Sequence, residues 1–228
     1  MSISAVGRVI GAVLLPQSCL LCAADCGNAL LCPACHDGLP RLPDTRCPRC
    51  ALPTPQGAVC GNCLKQAPHF DATVAAFDYA FPVDKLVQQL KYAHRLAVAD
   101  FFANALLREE LPSVELVIPL PLSNSRLRER GFNQAVEIAR PIARALDLPL
   151  ALTSCTRRVD TAPQAMLPWK ERRKNVKNAF ECTVDLGGRS LLLVDDVMTT
   201  GATLDECARV LKDHGAGTIC CCVTARTV

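Results

Sequence analysis

The sequence predicts an α/β fold, a mainly parallel sheet flanked by helices, preceded by a small metal-binding domain. From residue 72 onward, short apolar runs typical of buried strands alternate with patterns of helical period. Nine of the 15 cysteines lie before residue 64, and eight of these recur at one fixed spacing. We therefore expect two domains, residues 1–66 and residues 67–228.

The first segment, residues 2–15, is apolar except for Arg8. Its apolar side chains recur at helical spacing, no basic region leads it, and Val9–Leu15 is too short to span a bilayer. An amphipathic helix packed on the protein is one interpretation, and a helix that binds a membrane surface or a partner is the other. We predict no transmembrane segment and a cytoplasmic protein with reduced thiols. A place at the inner face of the membrane is left open.

The amino-terminal cysteines form two copies of the pattern C-x₂-C-x₉-C-x₂-C, displaced by 28 residues. Four thiolates suit a tetrahedral Zn²⁺ without an open coordination position, so two structural zinc sites are expected. Disulfides or a redox dithiol are the alternatives. Cys26 lies outside the repeat and is expected to be a free thiol, with His36 a neighbour rather than a ligand. The predicted zinc ligands are Cys19, Cys22, Cys32, Cys35, Cys47, Cys50, Cys60 and Cys63.

The segment from residue 72 to residue 122 should begin the parallel sheet. A strand is predicted at residues 72–80, with Val74, Ala76 and Phe77 facing inward. A first helix follows Pro82, and its predicted buried face comprises Val83, Leu86, Val87 and Leu90. A second helix is expected at residues 96–111, and a buried strand at residues 114–120 ends in a turn.

Two basic segments follow this turn. The first, residues 123–134, leads into a helix that runs to about residue 146, where Pro141 should kink or divide it because it cannot bond to the Glu137 carbonyl. The second, residues 157–177, has seven basic and two acidic residues and is expected to form a long loop. A solvated face is the ordinary explanation of such a charge run, and contact with a phosphorylated ligand is the alternative.

Residues 191–203, LLLVDDVMTTGAT, combine three signals in one stretch. The apolar run 191–194 predicts a buried strand, and Asp195 and Asp196 follow it directly. The hydroxyl-rich turn 199–203 then leads into a helix, so that backbone N–H groups can hold a phosphate, with Gly201 allowing close approach. Because the two carboxylates can accept hydrogen bonds from a diol, the stretch predicts a ribose 5-phosphate site. An ordinary strand and turn with two solvated acids is the alternative.

The remaining elements surround this stretch. A strand is predicted at residues 179–184, the helix after the turn should stop at Gly215, and a last strand is expected at residues 218–224. The last strand contains Cys220, Cys221 and Cys222. Three adjacent side chains in a strand cannot all face one metal ion, so these cysteines are expected to be small buried apolar groups.

Residues 191–203 are similar to the phosphoribosyl pyrophosphate (PRPP) signature of the type I phosphoribosyltransferases, and the whole chain resembles the ComF family. The resemblance also rests on the paired cysteine repeats, on Gln89-Leu90-Lys91-Tyr92, on Arg130-Gly131-Phe132-Asn133-Gln134, and on Thr161-x-x-Gln164 to Arg172-x-x-Asn175 before Ala179-Phe180. It implies a double zinc ribbon fused to a type I phosphoribosyltransferase-like sheet, with the ligand crevice at the carboxyl ends of the strands. The family is linked to natural competence and to handling incoming single-stranded DNA.

The resemblance further implies binding of PRPP with Mg²⁺, which prefers phosphate oxygens and water as ligands. The turn at residues 120–124 would be the pyrophosphate loop, and the basic segment 157–177 a hood over the ligand. The implied PRPP-binding residues are Asp195, Asp196, Val197, Met198, Thr199, Thr200, Gly201, Ala202, Thr203, Pro121 and Leu122. The implied catalytic residues are Asp195 and Asp196, and the candidates for neutralising the leaving charge are Lys91, Arg130, Arg172 and Arg173.

Phosphoribosyl transfer and binding without turnover are the two functions that the sequence leaves open. In the second, a PRPP-fold module would bind single-stranded DNA, a competence helicase or another DNA-uptake protein. The formal charge of +3 does not decide between them, since eight thiolates on two zinc ions would bring it to about −1. Aromatic residues make up only 4% of the chain, which leaves Trp169 and Phe132 as the few platforms for base stacking.

Overall fold

A computed structural model of the protein describes residues 17–159 and 176–228. The predicted amphipathic helix at residues 2–15 lies outside these ranges, as do Trp169, Arg172, Arg173 and most of the predicted hood. The chain divides into two compact units, residues 1–40 and residues 41–228. None of the helices in the described ranges is long and apolar enough to cross a bilayer.

Four parallel strands form the central sheet of the larger unit, which confirms the predicted fold class. The strand order is β1-β6-β5-β2, where β1 is Ala72–Asp78, β2 is Leu116–Pro119, β5 is Leu191–Met198 and β6 is Ile219–Arg226. The predicted strand near residue 180 lies outside this sheet. There β3, Cys155–Arg157, pairs with β4, Phe180–Cys182, as an antiparallel ribbon.

The helices of the larger unit are α2, Gly61–Lys65; α3, Val83–Ala93; α4, Ala97–Leu106; α5, Asn124–Arg130; α6, Gln134–Ala145; and α7, Ala202–Asp213. In the smaller unit α1 is Pro33–Asp37. The four predicted core residues of α3 are all buried. Helices α4 and α6 pack against each other, α4 also contacts β1 and β6, and α6 also contacts β2 and β5. Helix α7 ends as predicted, with Gly215 in the left-handed region at φ 82° just after it.

Pro141 lies inside α6 and does not divide it. The ring removes one backbone hydrogen bond, to the Glu137 carbonyl. Helix α6 nevertheless buries Ile138, Ala139 and Ile142, and its first turn is capped by the Asn133 side chain, which accepts a hydrogen bond from the Ala135 N–H at 3.0 Å. Tertiary burial and the N-cap therefore offset the missing bond.

The predicted inward face of β1 was wrong in part. Thr73 and Ala75 are buried together with Ala76 and Phe77, whereas Val74 is half-buried. The reason is that the outer edge of β1 is covered by the segment that carries the second cysteine repeat. The Thr73 N–H donates to the Pro48 carbonyl at 3.2 Å, and Arg46 donates to the Ala75 carbonyl at 2.9 Å.

The second cysteine repeat thus belongs to the same compact unit as the sheet. Arg46 also pairs with Glu109, just beyond α4, at 2.8 Å, and the Thr73 hydroxyl donates to the Arg49 carbonyl at 2.6 Å. Covering a sheet edge in this way removes unpaired strand groups from solvent. The boundary between residues 66 and 67, where the sequence divides the zinc-binding domain from the sheet domain, stays a prediction.

The core of the sheet is formed by its two middle strands. All residues of β6 are buried, and in β5 Leu191 to Val194 are fully buried. Cys220, Cys221 and Cys222 lie within this layer with at most 3% of their surface exposed. They serve as small apolar side chains, as predicted.

Candidate functional site

The two cysteine repeats each gather their four sulfur atoms into one cluster. In each cluster the Sγ atoms all lie within 4.8 Å of one another, and the Sγ atoms of Cys22 and Cys32 are 3.6 Å apart. A tetrahedral Zn²⁺ with Zn–S bonds of about 2.3 Å needs sulfur atoms about 3.8 Å apart, so both clusters fit the metal. Every cysteine of the chain is free of disulfides. The chain therefore carries two structural zinc sites.

The backbone repeats along with the cysteines. Ala23 and Ala51, which are 28 residues apart, both take the left-handed conformation, at φ 62° and 57°. In both turns the N–H of this alanine donates to the carbonyl of the first cysteine, Cys19 or Cys47, at 2.9 Å. Helices α1 and α2 follow the third cysteine of each copy at the same displacement. The 28-residue repeat is thus a repeat of structure.

Hydrogen bonds from backbone N–H groups prepare Cys47 of the second cluster for metal. Burial raises the pKa of Cys47, but bonds from the backbone of Cys60, Cys50 and Arg49 lower it to about 7. The Cys60 N–H lies 3.3 Å from the Cys47 sulfur. A thiolate stabilised in this way is the form that binds zinc.

Cys26 and His36 stand apart from the first cluster, as predicted. The Cys26 thiol donates to the carbonyls of Gln17 and Ala29, at 3.1 and 2.9 Å. The His36 ring lies 3.1 Å from the carboxylate of Asp37. Neither residue is part of the four-sulfur set.

A cleft of about 630 Å³ opens at the carboxyl ends of the strands in the larger unit. The end of β5, the turn after it, the start of α7 and the turn after β2 form much of its wall. Thr200 does not line this cleft, and its hydroxyl instead accepts from the Ala202 N–H at 3.3 Å. The predicted residues that line the cleft are Lys91, Pro121, Leu122, Arg130, Asp195, Asp196, Val197, Met198, Thr199, Gly201, Ala202 and Thr203.

Asp195 and Asp196 lie within β5, because the strand continues to Met198 rather than ending at Val194. Each carboxylate is held by the backbone N–H of the next residue, at 2.8 Å for Asp195 and 2.7 Å for Asp196. The second oxygen of Asp196 is 2.6 Å from the Nζ of Lys91 on α3. Burial opposes the charge of this amine, but Asp196 and, more weakly, Asp195 raise the pKa of Lys91 above its usual value.

The surroundings of Asp195 raise its pKa. Burial, and then the charge of Asp196, raise the pKa of Asp195 to about 7. The Asp196 N–H, Lys91 and Arg157 act in the opposite direction but do not offset these effects. Asp195 is therefore only partly ionised near neutral pH.

The turn at residues 199–203 has the shape of an anion-binding loop. Gly201 has φ 79° and forms the N-cap of α7, which places the first N–H groups of a twelve-residue helix beside the cleft. A Cβ atom added at Gly201 would lie 3.7 Å or more from Met198 and Phe70. Backbone conformation rather than space thus requires glycine at this position.

Basic side chains also line the cleft. The Arg130 guanidinium lies 5.4 Å from the centre of the Tyr92 ring. Its Nε is buried and has no hydrogen-bond acceptor among the residues that the structure describes. Arg126 and Arg157 also line the cleft. The cleft is thus lined by carboxylates that can accept hydrogen bonds from a diol, by a turn that can bind phosphate, and by cationic side chains.

Two known families match the chain: the phosphoribosyl transferase domain over residues 133–227 and the double zinc ribbon domain over residues 10–64. The DNA utilization protein YhgH of Escherichia coli O157:H7 is 35% identical over 224 residues, which cover 92% of this chain and 98% of that protein. Competence protein F of Haemophilus influenzae is 37% identical over 68% of this chain and 73% of its own length. The chain belongs to the ComF family. Competence protein ComFC of Bacillus subtilis is a more distant relative, 26% identical over 81% of this chain and 79% of its own length.

Several cleft residues of this ComF-family chain were not predicted as ligands. Tyr79 and Gln88 come from the end of β1 and from α3, and Thr227 follows β6. Asn133 donates its side-chain amide to the Leu120 carbonyl at 3.0 Å and so fixes the turn after β2. Asn133 and Arg126 belong to the basic segment 123–134, so the family resemblance and the charge pattern could have identified them. Nothing local in the sequence distinguishes Tyr79 or Thr227.

Proposed function

We propose that the chain binds PRPP at the cleft and transfers its phosphoribosyl group to an acceptor. The observation that carries the proposal is the placement of Asp195, Asp196 and the turn 199–203 in one wall, with Lys91 and Arg130 beside them. Carboxylates match the ribose diol, and the helix N-terminus matches the 5-phosphate. A ribose phosphate with a further anionic group would satisfy the carboxylates, the helix N-terminus and the cations together.

The proposed roles follow from these positions. Residues 199–203 hold the 5-phosphate, and Asp195 and Asp196 accept hydrogen bonds from the ribose hydroxyls. The backbone at Pro121 and Leu122 faces the pyrophosphate, and Lys91 and Arg130 neutralise the charge that develops as pyrophosphate leaves. Arg172 and Arg173 are proposed for the same task, on the resemblance alone.

Mg²⁺ fits the donor set of this cleft, since carboxylate, phosphate and water oxygens are its preferred ligands. Bound to the oxygens of PRPP beside Asp195 and Asp196, Mg²⁺ would supply positive charge to the leaving pyrophosphate. The residues of the chain then orient the ribose and limit the access of water to C1.

The names of the relatives support a DNA context for the proposed reaction. Two are named for competence and one for DNA utilization, and we propose the same cellular role for this chain. Single-stranded DNA is the proposed acceptor or partner, together with a helicase or another DNA-uptake protein, in the cytoplasm and at the inner face of the membrane. The exposed Tyr92 beside Arg130, at the rim of the cleft, favours contact with unpaired bases.

Turnover is tested by pyrophosphate release from PRPP and Mg²⁺ with a panel of acceptors that includes single-stranded DNA. We expect release that depends on an acceptor and is lost in Asp196→Asn. PRPP binding without release across the panel would instead support a binding module. Zinc-loaded protein should be used throughout, because the second zinc site belongs to the unit that carries the cleft.

The raised pKa of Asp195 predicts that PRPP affinity depends on pH. The carboxylate, not the neutral acid, accepts two diol hydrogen bonds, so ionisation around a pKa of about 7 favours binding. From pH 6 to pH 8 the Kd should fall about tenfold, as the ionised fraction rises. Titration calorimetry at several pH values measures this. The matched control is Asp195→Asn, in which the fall should shrink to the part that comes from the phosphates of the ligand.

The free energy of unfolding should fall as the pH rises, whereas the affinity for PRPP should increase. The folded pKa of Asp195 is above its ordinary value of 3.8, so its favourable contribution is present below pH 3.8 and is lost as pH rises through 7. Asp195→Asn should therefore raise the free energy of unfolding at pH 8 by about 2 kcal/mol, less than the full shift because the side chain keeps some solvent contact. Equal stability of both proteins at pH 8 would contradict this account of Asp195.

A further inference from the structure

Residues 199–201, the first part of the turn at residues 199–203, lie between two cavities and are called the phosphate loop below. One is the cleft described above, and the other, of about 600 Å³, lies between the loop and the second cysteine repeat. Thr199 and Gly201 line both cavities, whereas Thr200 lines only the second. Open space lies on both sides of this loop, so hydrogen bonds contribute to holding its position.

Arg226, the last residue of β6, supplies bonds of this kind. Its side chain is buried, with 4% of the residue exposed. One guanidinium nitrogen donates to the carbonyls of Met198, at 3.0 Å, and Thr199. On its other side, Nε donates to the Cys50 carbonyl at 2.8 Å. The planar guanidinium therefore connects the start of the phosphate loop to the second cysteine cluster.

The charge of Arg226 needs a counter-charge. Among the residues described by the structure, no carboxylate lies within ion-pair distance of it. Four thiolates around Zn²⁺ carry a net charge of about −2, so the loaded second zinc site stabilises the buried cation.

We propose that Arg226 couples the second zinc site to the phosphate loop, so that zinc at Cys47, Cys50, Cys60 and Cys63 and PRPP at residues 199–203 strengthen each other's binding. Arg226 is a positioning residue that acts through the Met198 and Thr199 backbone. The coupling rests on the proposed PRPP site. It gives the second ribbon a function beyond stability, since loss of its zinc would loosen the loop that holds the 5-phosphate.

Reciprocity provides a test on the wild-type chain. If zinc favours PRPP binding, PRPP must favour zinc binding by the same factor. We expect saturating PRPP to protect one zinc ion per chain, lowering its Kd about fivefold in equilibrium competition with a chromophoric chelator, and to leave the other ion unaffected. The first cysteine cluster lies in the other compact unit and so serves as the internal control.

Arg226→Lys removes the two-sided contact but keeps the charge, because an ammonium group cannot bond to Cys50 and to the loop in the same geometry. We expect this variant to bind PRPP about tenfold more weakly and to lose the PRPP protection of zinc. The control is Arg209→Lys on α7, whose guanidinium pairs with Glu206 and Asp213 on the surface. That variant should bind PRPP and retain zinc as the wild type does.

The outcomes separate the coupling from the proposed function. If the wild-type chain does not bind PRPP, both the proposed function and the coupling are wrong. If it binds PRPP but PRPP lowers the Kd of both zinc ions equally, or if Arg226→Lys keeps the protection, the coupling alone is wrong. If Arg226→Lys fails to fold, the selective protection in the wild-type chain decides the question.

Discussion

Asp196→Asn is expected to raise the Kd for PRPP by about 100-fold. Its carboxylate is 7% exposed and bonds to both the Val197 N–H and the Lys91 amine. An amide cannot accept from the amine and from a ribose hydroxyl as strongly as a carboxylate does. The substitution also leaves Lys91, which is half-buried, without the partner that raises its pKa. The free energy of unfolding should therefore fall by about 2 kcal/mol.

Titration calorimetry with PRPP and Mg²⁺ measures the loss of affinity, and circular dichroism checks that the fold is retained. The control is Asp213→Asn at the end of α7, which removes a surface pair with Arg209 at 2.7 Å. This control should bind PRPP as the wild type does, because surface ion pairs contribute little and Asp213 does not line the cleft. Unchanged PRPP affinity in folded Asp196→Asn would remove this carboxylate from the ribose site.

Cys47→Ser is expected to destabilise the sheet-containing unit by about 4 kcal/mol. Cys47 is completely buried, and serine is a much weaker ligand for zinc than a thiolate. The second zinc site holds the segment whose Pro48 and Arg49 carbonyls bond to Thr73 on the edge of β1. Loss of this metal should expose the edge of the strand and weaken the contact between Cys50 and Arg226.

The structural repeat supplies the control, since Cys19→Ser removes the equivalent ligand from the first zinc site in the other compact unit. Metal analysis should find about two zinc ions in the wild-type chain and about one in each variant. Hydrogen exchange of peptides from β1 and β6 should increase in Cys47→Ser and remain near wild type in Cys19→Ser. Equal increases in both variants, or none in either, would contradict the assigned role of the second site.

Local signals in the sequence predicted the elements that depend on local patterns. The cysteine spacing identified both four-sulfur clusters, and the apolar run before Asp195 identified β5. The buried face of α3 followed from helical spacing. These predictions succeeded because spacing and period act within a few residues of the chain.

Features that depend on distant contacts were missed. The inward face of β1 could not be predicted because residues 46–49 cover an edge that isolated strand periodicity leaves exposed. The sequence left open whether Pro141 kinks or divides α6. Burial of Ile138 and Ile142, not local propensity, decides whether this helix continues. The pair between Lys91 and Asp196 joins residues on α3 and β5, and only the family resemblance had associated them. Arg226 offered one signal, a charged residue just after a mainly apolar run, but the predicted strand ended at residue 224.

Direct binding of PRPP to zinc-loaded protein tests the central claim most directly. Titration calorimetry with Mg²⁺ present should give one PRPP per chain and a Kd that falls from pH 6 to pH 8, as ionisation of Asp195 requires. Ribose 5-phosphate should bind more weakly than PRPP, because it lacks the pyrophosphate that Lys91 and Arg130 are proposed to contact. Failure of PRPP to bind to chains that contain two zinc ions would contradict the account.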